Sequence, residues 1–200
     1  MLINLLIKGI ASGFSLAAPG GAIGFLCIKE TSKNGVNPGL IAGLGAATAD
    51  MLYGILAAVV LKMMDGIVTS HELSLTIISG IFFCYMGVER LFSTSSLEDI
   101  KPIPGKLLHI YLYTILLTLK DFSTILEFIA LFIAFDININ ELQDSIGFVI
   151  GVFLGAAIWW FLLCFMDTLL HKKTSMRLLR YVNYITSIII FIFGLHELFK

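Results

Sequence analysis

The chain has 200 residues, of which 58% are apolar and 14% charged, with a mean hydropathy of +0.96. Soluble domains carry about 25% charged residues, so this composition excludes a water-soluble globule and marks an integral membrane protein. A net charge of −1 offers no polyanion-binding character, and nucleic acid is not an expected partner. Cys27, Cys84 and Cys164 lie far apart, form no CxxC pair and read as small buried apolar residues.

The first apolar stretch, 2–28, contains Leu16-Ala17-Ala18, which has the look of a signal-peptidase site. Met1 to Ile7 carries no positive charge and Pro19 would follow the cut, so the expectation is that the segment is retained. Its centre runs Gly13-Phe14-Ser15-Leu16-Ala17-Ala18-Pro19-Gly20-Gly21-Ala22-Ile23-Gly24. Proline there removes a backbone donor and the glycines leave the backbone uncovered. A break at bilayer depth must be re-satisfied by neighbouring helices, polar side chains or water in a cavity. The stretch therefore predicts a broken helix lining a transport site.

Five more apolar segments follow, at about 38–61, 73–92, 107–135, 146–169 and 179–199, each long enough to cross a core of about 30 Å. The second opens on Asn37-Pro38-Gly39, read as an N-cap asparagine with proline in the first turn. Segments one and four exceed the roughly 20 residues of a straight span, as tilt or an internal break would require. Basic residues cluster after segments one, three and five: Lys29, Lys33, Arg90, Lys101, Lys106, Lys172, Lys173, Arg177 and Arg180. The opposite face has Lys62 and Lys200, with Lys8 if it snorkels, and its loop from Asp136 to Asp144 is acidic. The positive-inside rule puts the basic side in the cytoplasm and both termini outside.

Leu44-Gly45-Ala46-Ala47 recurs 110 residues later as Leu154-Gly155-Ala156-Ala157, and Gly87-Val88-Glu89-Arg90-Leu91-Phe92 recurs 107 residues later as Gly194-Leu195-His196-Glu197-Leu198-Phe199. Near-equal offsets at corresponding places indicate a duplication: repeat one over 1–92, a linker over 93–105 and repeat two over 106–200, in one transmembrane domain. Three helices per half is odd, so the second half must be inverted, a recurring transporter plan with the site at the midplane. Segment four should then carry its own irregularity, and Leu119-Lys120-Asp121-Phe122-Ser123-Thr124 supplies one.

Asp50 falls near the centre of segment two. A carboxylate at bilayer centre costs about 2.5–3.5 kcal/mol on insertion scales and is functional by default. It could hold a proton in one conformation and release it in another, or counter a cationic substrate. The structural alternative is a carboxylate paired with Lys120 or capping a broken helix. Lys120, Asp121 and Glu127 form a second set: Lys120 could meet a substrate carboxylate, and Asp121 or Glu127 its amine. The bland alternative is an internal salt bridge that lets the segment insert. Trp159 and Trp160 sit mid-segment and read first as packing. Tyr53, one turn after Asp50, could hydrogen-bond it. Asp167, beside His171 and Lys172, reads as a solvated rim pair. The histidines show no ligand spacing, and neither a metal site nor a cofactor is expected.

These residues resemble the LysE/RhtB family of bacterial amino-acid exporters over essentially the whole chain. Pro19-Gly20-Gly21 is similar to the family's Pro-Gly-Pro motif, Gly35 and Gly39 to its glycine-rich turn, and Gly43-Leu44-Gly45-Ala46-Ala47-Thr48-Ala49-Asp50 to its Gly-Leu-Gly-x-x-x-x-Asp stretch. Tyr85-Met86-Gly87 through Leu91 is similar to its Tyr-Leu-x-x-Leu-Gly pattern. Asp121-Phe122 stands where the family usually has Asn-Pro, Glu127 where an aromatic residue is usual, and Gly21 replaces a proline. The resemblance implies a proton-driven secondary exporter of amino acids or similar metabolites in the bacterial inner membrane, not an enzyme. The extra acid favours a cationic substrate.

The expected architecture is an all-α integral membrane protein of six transmembrane helices in two inverted three-helix repeats, with helices one and four broken or kinked. Substrate would meet Pro19, Gly20, Gly21, Lys120 and Asp121, with Asp50 and Glu127 for proton coupling. Lipid is the surrounding partner, and a homo-oligomer is compatible with this layout. The rivals are a transporter of another solute such as a metal cation, and a non-transporting assembly subunit.

Overall fold

A computed structural model describes residues 2–19, 21–63, 72–93, 103, 105–121, 123–134, 142–169 and 172–199. Gly20, Phe122, most of the 93–105 linker, the loop 135–141, His71, His171 and Lys200 lie outside the described residues. The described residues form eight helices: α1 Leu2–Ala17, α2 Gly21–Asn34, α3 Val36–Met63, α4 Glu72–Ser93, α5 Leu107–Thr118, α6 Ser123–Ala134, α7 Leu142–Leu169 and α8 Lys172–Leu198.

Segments one and four are each split. α1 and α2 meet at 79°. α5 and α6 have 12 residues apiece, about 18 Å at 1.5 Å per residue, so neither alone crosses the core. Four helices are long and apolar enough to span a membrane, and a bent α1–α2 pair would make a fifth. The molecule is thus an all-α, multi-pass membrane bundle with four to five long apolar spans.

One residue separates α2 from α3. Gly35 has φ +94°, open to glycine and strained for other residues, and its N–H donates to Thr31 O at 3.0 Å. The helix resumes at Val36, so Asn37 lies inside the first turn of α3 and is not its N-cap; the positive-φ glycine makes the turn instead.

Packing follows small residues, as expected where lipid removes the hydrophobic drive between helices. α3 buries Gly39, Ala42, Gly43, Gly45, Ala46, Ala47, Ala49 and Gly54 while Leu52, Ile55, Leu56 and Val59 face outward. α1 lies on α7 with backbones touching: a Cβ on Gly13 would fall 2.1 Å from Val152 O, and one on Gly155 2.1 Å from Ile10 O. Gly45, the sequence counterpart of Gly155, closes in the same way on Tyr111 O of α5, at 2.7 Å. Gly87 and Gly194, the other repeated glycines, both sit in the α4–α8 crossing, where added Cβ atoms would meet Ser187 O at 2.9 Å and Gly80 O at 2.8 Å.

The two halves therefore exchange partners. α1 packs on α7 and α5 on α3, α2 reaches α7 and α8, and α6 reaches α3 and α4. α3 packs against α7 and α4 against α8 between the halves. The largest core joins Phe25, Leu26 and Ile28 of α2 to Ala42 and Ala46 of α3 and to Trp160, Leu163 and Cys164 of α7.

Candidate functional site

Each break is built differently. At the first, Ala18 N–H still donates to Phe14 O at 2.9 Å, and Pro19 then has no N–H to continue the helix. Gly21, at φ +42°, donates to Pro19 O at 2.5 Å and opens α2. At the second, Leu119 N–H closes on Ile115 O at 2.9 Å and Asp121 N–H on Thr118 O at 3.0 Å, tightening the end of α5. Asp121 Oδ1 accepts from Ser123 N–H at 3.2 Å and from the Ser123 hydroxyl at 2.5 Å, an Asx turn that starts α6. The chain breaks here without the proline of the family pattern because this carboxylate caps the next helix.

Tyr53 completes the second break. Its hydroxyl donates to Leu119 O at 2.8 Å, satisfying a carbonyl that the end of α5 leaves open. The expected Tyr53–Asp50 bond is therefore absent; the phenol reaches past Asp50 to backbone.

Both breaks open on one cavity of about 580 Å³, within the 300–1,000 Å³ typical of small-molecule sites. The ends of α1 and α5 bring Leu16, Ala17, Leu117 and Thr118 to its wall, and the starts of α2 and α6 bring Gly21, Ala22, Ile23, Ser123 and Thr124. Two helix N-termini thus face the same space as two helix C-termini. Pro19, Asp121, Asp50 and Glu127 also line it; Lys120 does not. Lys120 is exposed, and among the described residues it makes no ion pair.

Glu127 has its ion-pair partner outside the Lys120, Asp121 and Glu127 set. Glu127 Oε1 accepts from Arg90 Nη2 at 2.6 Å, joining α6 to α4, with the two side chains 4% and 22% exposed respectively. Asp50, 8% exposed on α3, lies within electrostatic reach of both. Glu89 also lines the cavity, so four carboxylates (Asp50, Glu89, Asp121, Glu127) face one guanidinium there. Arg90 closes segment three and reads in the sequence as one of the basic cytoplasmic residues, whereas in the structure it pairs with Glu127. Its distance of 37 residues from Glu127 gave no sign of the pair. Asn183 of α8 and Trp160 of α7 complete the wall.

Away from the cavity, Asp167 is buried and accepts from the Ser32 hydroxyl at 2.7 Å, so it ties α7 to α2 and is not a solvated rim group. Glu30, fully buried, accepts from Asn34 Nδ2 at 2.7 Å and from the Ile103 backbone, fastening part of the linker. Trp159 packs edge-on against Phe14 at 5.3 Å between centroids.

The LysE type translocator family matches residues 14–200. The chain is 25% identical over 200 residues to "Putative amino acid efflux protein YcgF" of Bacillus subtilis (strain 168), covering 97% of this chain and 95% of that protein. No solved structure matches it. With a polar cavity between two broken helices inside a lipid-facing bundle, and a family match across nearly its whole length, the chain belongs to the LysE type translocators and is a membrane transporter.

Proposed function

We propose that this transporter exports amino acids, with a preference for cationic ones, across the bacterial inner membrane by proton-coupled alternating access. The observation that carries this reading is the cavity itself. Four carboxylates against one guanidinium leave an acidic excess, and acids in such a space attract a cationic side chain or ammonium. The N-termini of α2 and α6 offer the positive ends of two helix dipoles to a carboxylate. The YcgF relative carries an amino-acid efflux name, which supports the substrate class.

In this mechanism α5 and α6 together form the sixth crossing, and the swapped partners of the two halves support an inverted repeat. The cavity opens alternately to each side as one repeat rocks against the other around the breaks. Asp50 is the protonatable group, with Glu127 held by Arg90 beside it, and Pro19, Gly20, Gly21 and Asp121 shape the substrate contact. Lys120, outside the wall in this arrangement, meets substrate only if the opening changes. The basic linkers face the cytoplasm and both termini face outward, the argument resting on the basic residues other than Arg90, which turns inward.

Proteoliposomes loaded with labelled lysine, arginine or leucine, with an imposed proton gradient, test this directly. Gradient-dependent counterflow is expected, fastest for the cationic substrates, and Asp50→Asn should leave exchange independent of the gradient. Unchanged gradient dependence in Asp50→Asn would remove the coupling assignment, and no flux of any amino acid would remove the reading altogether.

A further inference from the structure

Several polar groups in the cavity wall are already paired within the protein. Thr118 Oγ1 donates to Thr114 O at 2.9 Å, Ser123 and Asp121 satisfy one another, and Arg90 holds Glu127. Trp160 and Asn183 of the wall each carry a fully buried polar atom that stands outside this pattern. Trp160 is 4% exposed and Asn183 5%, and among the described residues neither the indole N–H nor the carboxamide oxygen has a hydrogen-bond partner. The Asn183 backbone carbonyl, by contrast, accepts from the hydroxyls of both Ser187, at 2.6 Å, and Thr186, at 3.2 Å. Buried polar atoms are normally paired, and each exception calls for a reason.

Packing fixes where the indole sits. A Cβ on Gly43 would come within 2.4 Å of Trp160 Cβ, so α3 admits the tryptophan only because it carries glycine there. The root of the Trp160 side chain is thus set by close contact with α3. On the same cavity lies the first turn of α2, whose opening N–H groups point out of the helix end. Trp160, Asn183 and the first turn of α2 all line one space, together with the carboxylates Asp50, Glu89, Asp121 and Glu127.

Resting on the amino-acid export reading, we propose that Trp160 and Asn183 recognise the backbone of the substrate. The Trp160 indole donates to its α-carboxylate alongside the α2 N-terminus, and the Asn183 carboxamide oxygen accepts from its α-ammonium. The two residues then read the group common to all α-amino acids, while Asp50, Glu127 and Asp121 are left to act on charge. Neither residue needs to release an internal partner before substrate enters.

Competition separates the two contacts. In proteoliposomes, unlabelled amino acid, its α-hydroxy analogue (no ammonium) and its decarboxylated amine (no carboxylate) are each titrated against a labelled amino acid. Wild type should prefer the parent compound over either analogue by about tenfold to a hundredfold, the scale of a hydrogen bond to a charged group. Asn183→Leu should erase the discrimination against the hydroxy analogue and leave that against the amine, Asn183→Asp should retain both, and Trp160→Phe should show the converse of Asn183→Leu. Where a variant no longer translocates, the same three compounds are ranked by their stabilisation of the detergent-purified protein against heat. Unaltered preferences in both Asn183→Leu and Trp160→Phe would overturn the proposal. A wild type that moves no amino acid would instead sink the export reading on which it rests.

Discussion

The two helix breaks, one in each half of the chain, are made by opposite means. At residues 18–21 the break is backbone chemistry: Pro19 lacks a donor, Gly21 takes φ +42°, and Ala17, Ala18 and Pro19 are buried. At residues 119–123 it is side-chain chemistry: Asp121 caps α6, Tyr53 caps Leu119 O, and Asp121 is exposed. A helix can therefore be interrupted in a membrane without proline, provided that side chains meet the polar groups the interruption frees. The price of that solution is dependence on α3, which supplies the tyrosine.

The contrast can be broken most severely at Arg90, which ties the half-helix beyond the second break to α4. Arg90→Leu leaves Glu127 buried and unpaired and should cost about 3–5 kcal/mol, read as loss of thermal stability in detergent. Arg90→Met with Glu127→Met should recover most of it, since the cost lies in the stranded charge. Recovery failing in the double variant would mean that α6 is held by the ion pair itself.

Next in size are the glycines that bring each half onto the other. Gly13→Ala places a methyl 2.1 Å from Val152 O and Gly45→Ala one 2.7 Å from Tyr111 O. Both should destabilise, by about 1–3 kcal/mol for overpacking, with Gly13→Ala the worse because its contact is closer and its nearest atoms are all backbone, whereas Gly45 also meets the Thr114 side chain. Equal effects would show that the α1–α7 crossing yields as easily as α3–α5.

The breaks themselves come next. Gly21→Ala meets no atom within 4 Å, so its cost is conformational alone, about 1–2 kcal/mol for a left-handed alanine. Tyr53→Phe removes one hydrogen bond, worth about 1 kcal/mol, and hydrogen exchange should rise at the end of α5 with none at Pro19–Gly21. Smallest of all is Asp121→Asn, which keeps an oxygen for the Asx turn and should alter stability by less than about 0.5 kcal/mol. Any fall in transport of a cationic substrate by that variant then reports charge and not the cap.

Several features were legible in the residues before any coordinates. Composition made the membrane class unavoidable, and the apolar segments lie close to the helices: 38–61 against Val36–Met63, 73–92 against Glu72–Ser93. Pro19 announced the first break through a covalent property of one residue. The glycines of the repeated motifs occupy close helix crossings, because close approach without a Cβ is written into the residue type. The family resemblance is shown by a match over residues 14–200.

What sequence spacing could not supply was partnership. Lys120, beside Asp121 in the chain, points away from the cavity wall, while Arg90, in a different segment, takes Glu127. Asp167 is buried on Ser32 from 135 residues away, and Tyr53 reaches a carbonyl at 66. Charge, hydrophobicity and backbone freedom belong to single residues and can be read along the chain. Which buried charge meets which, and which polar atoms are left over to meet a substrate, depends on how helices cross, and only the tertiary structure decided that.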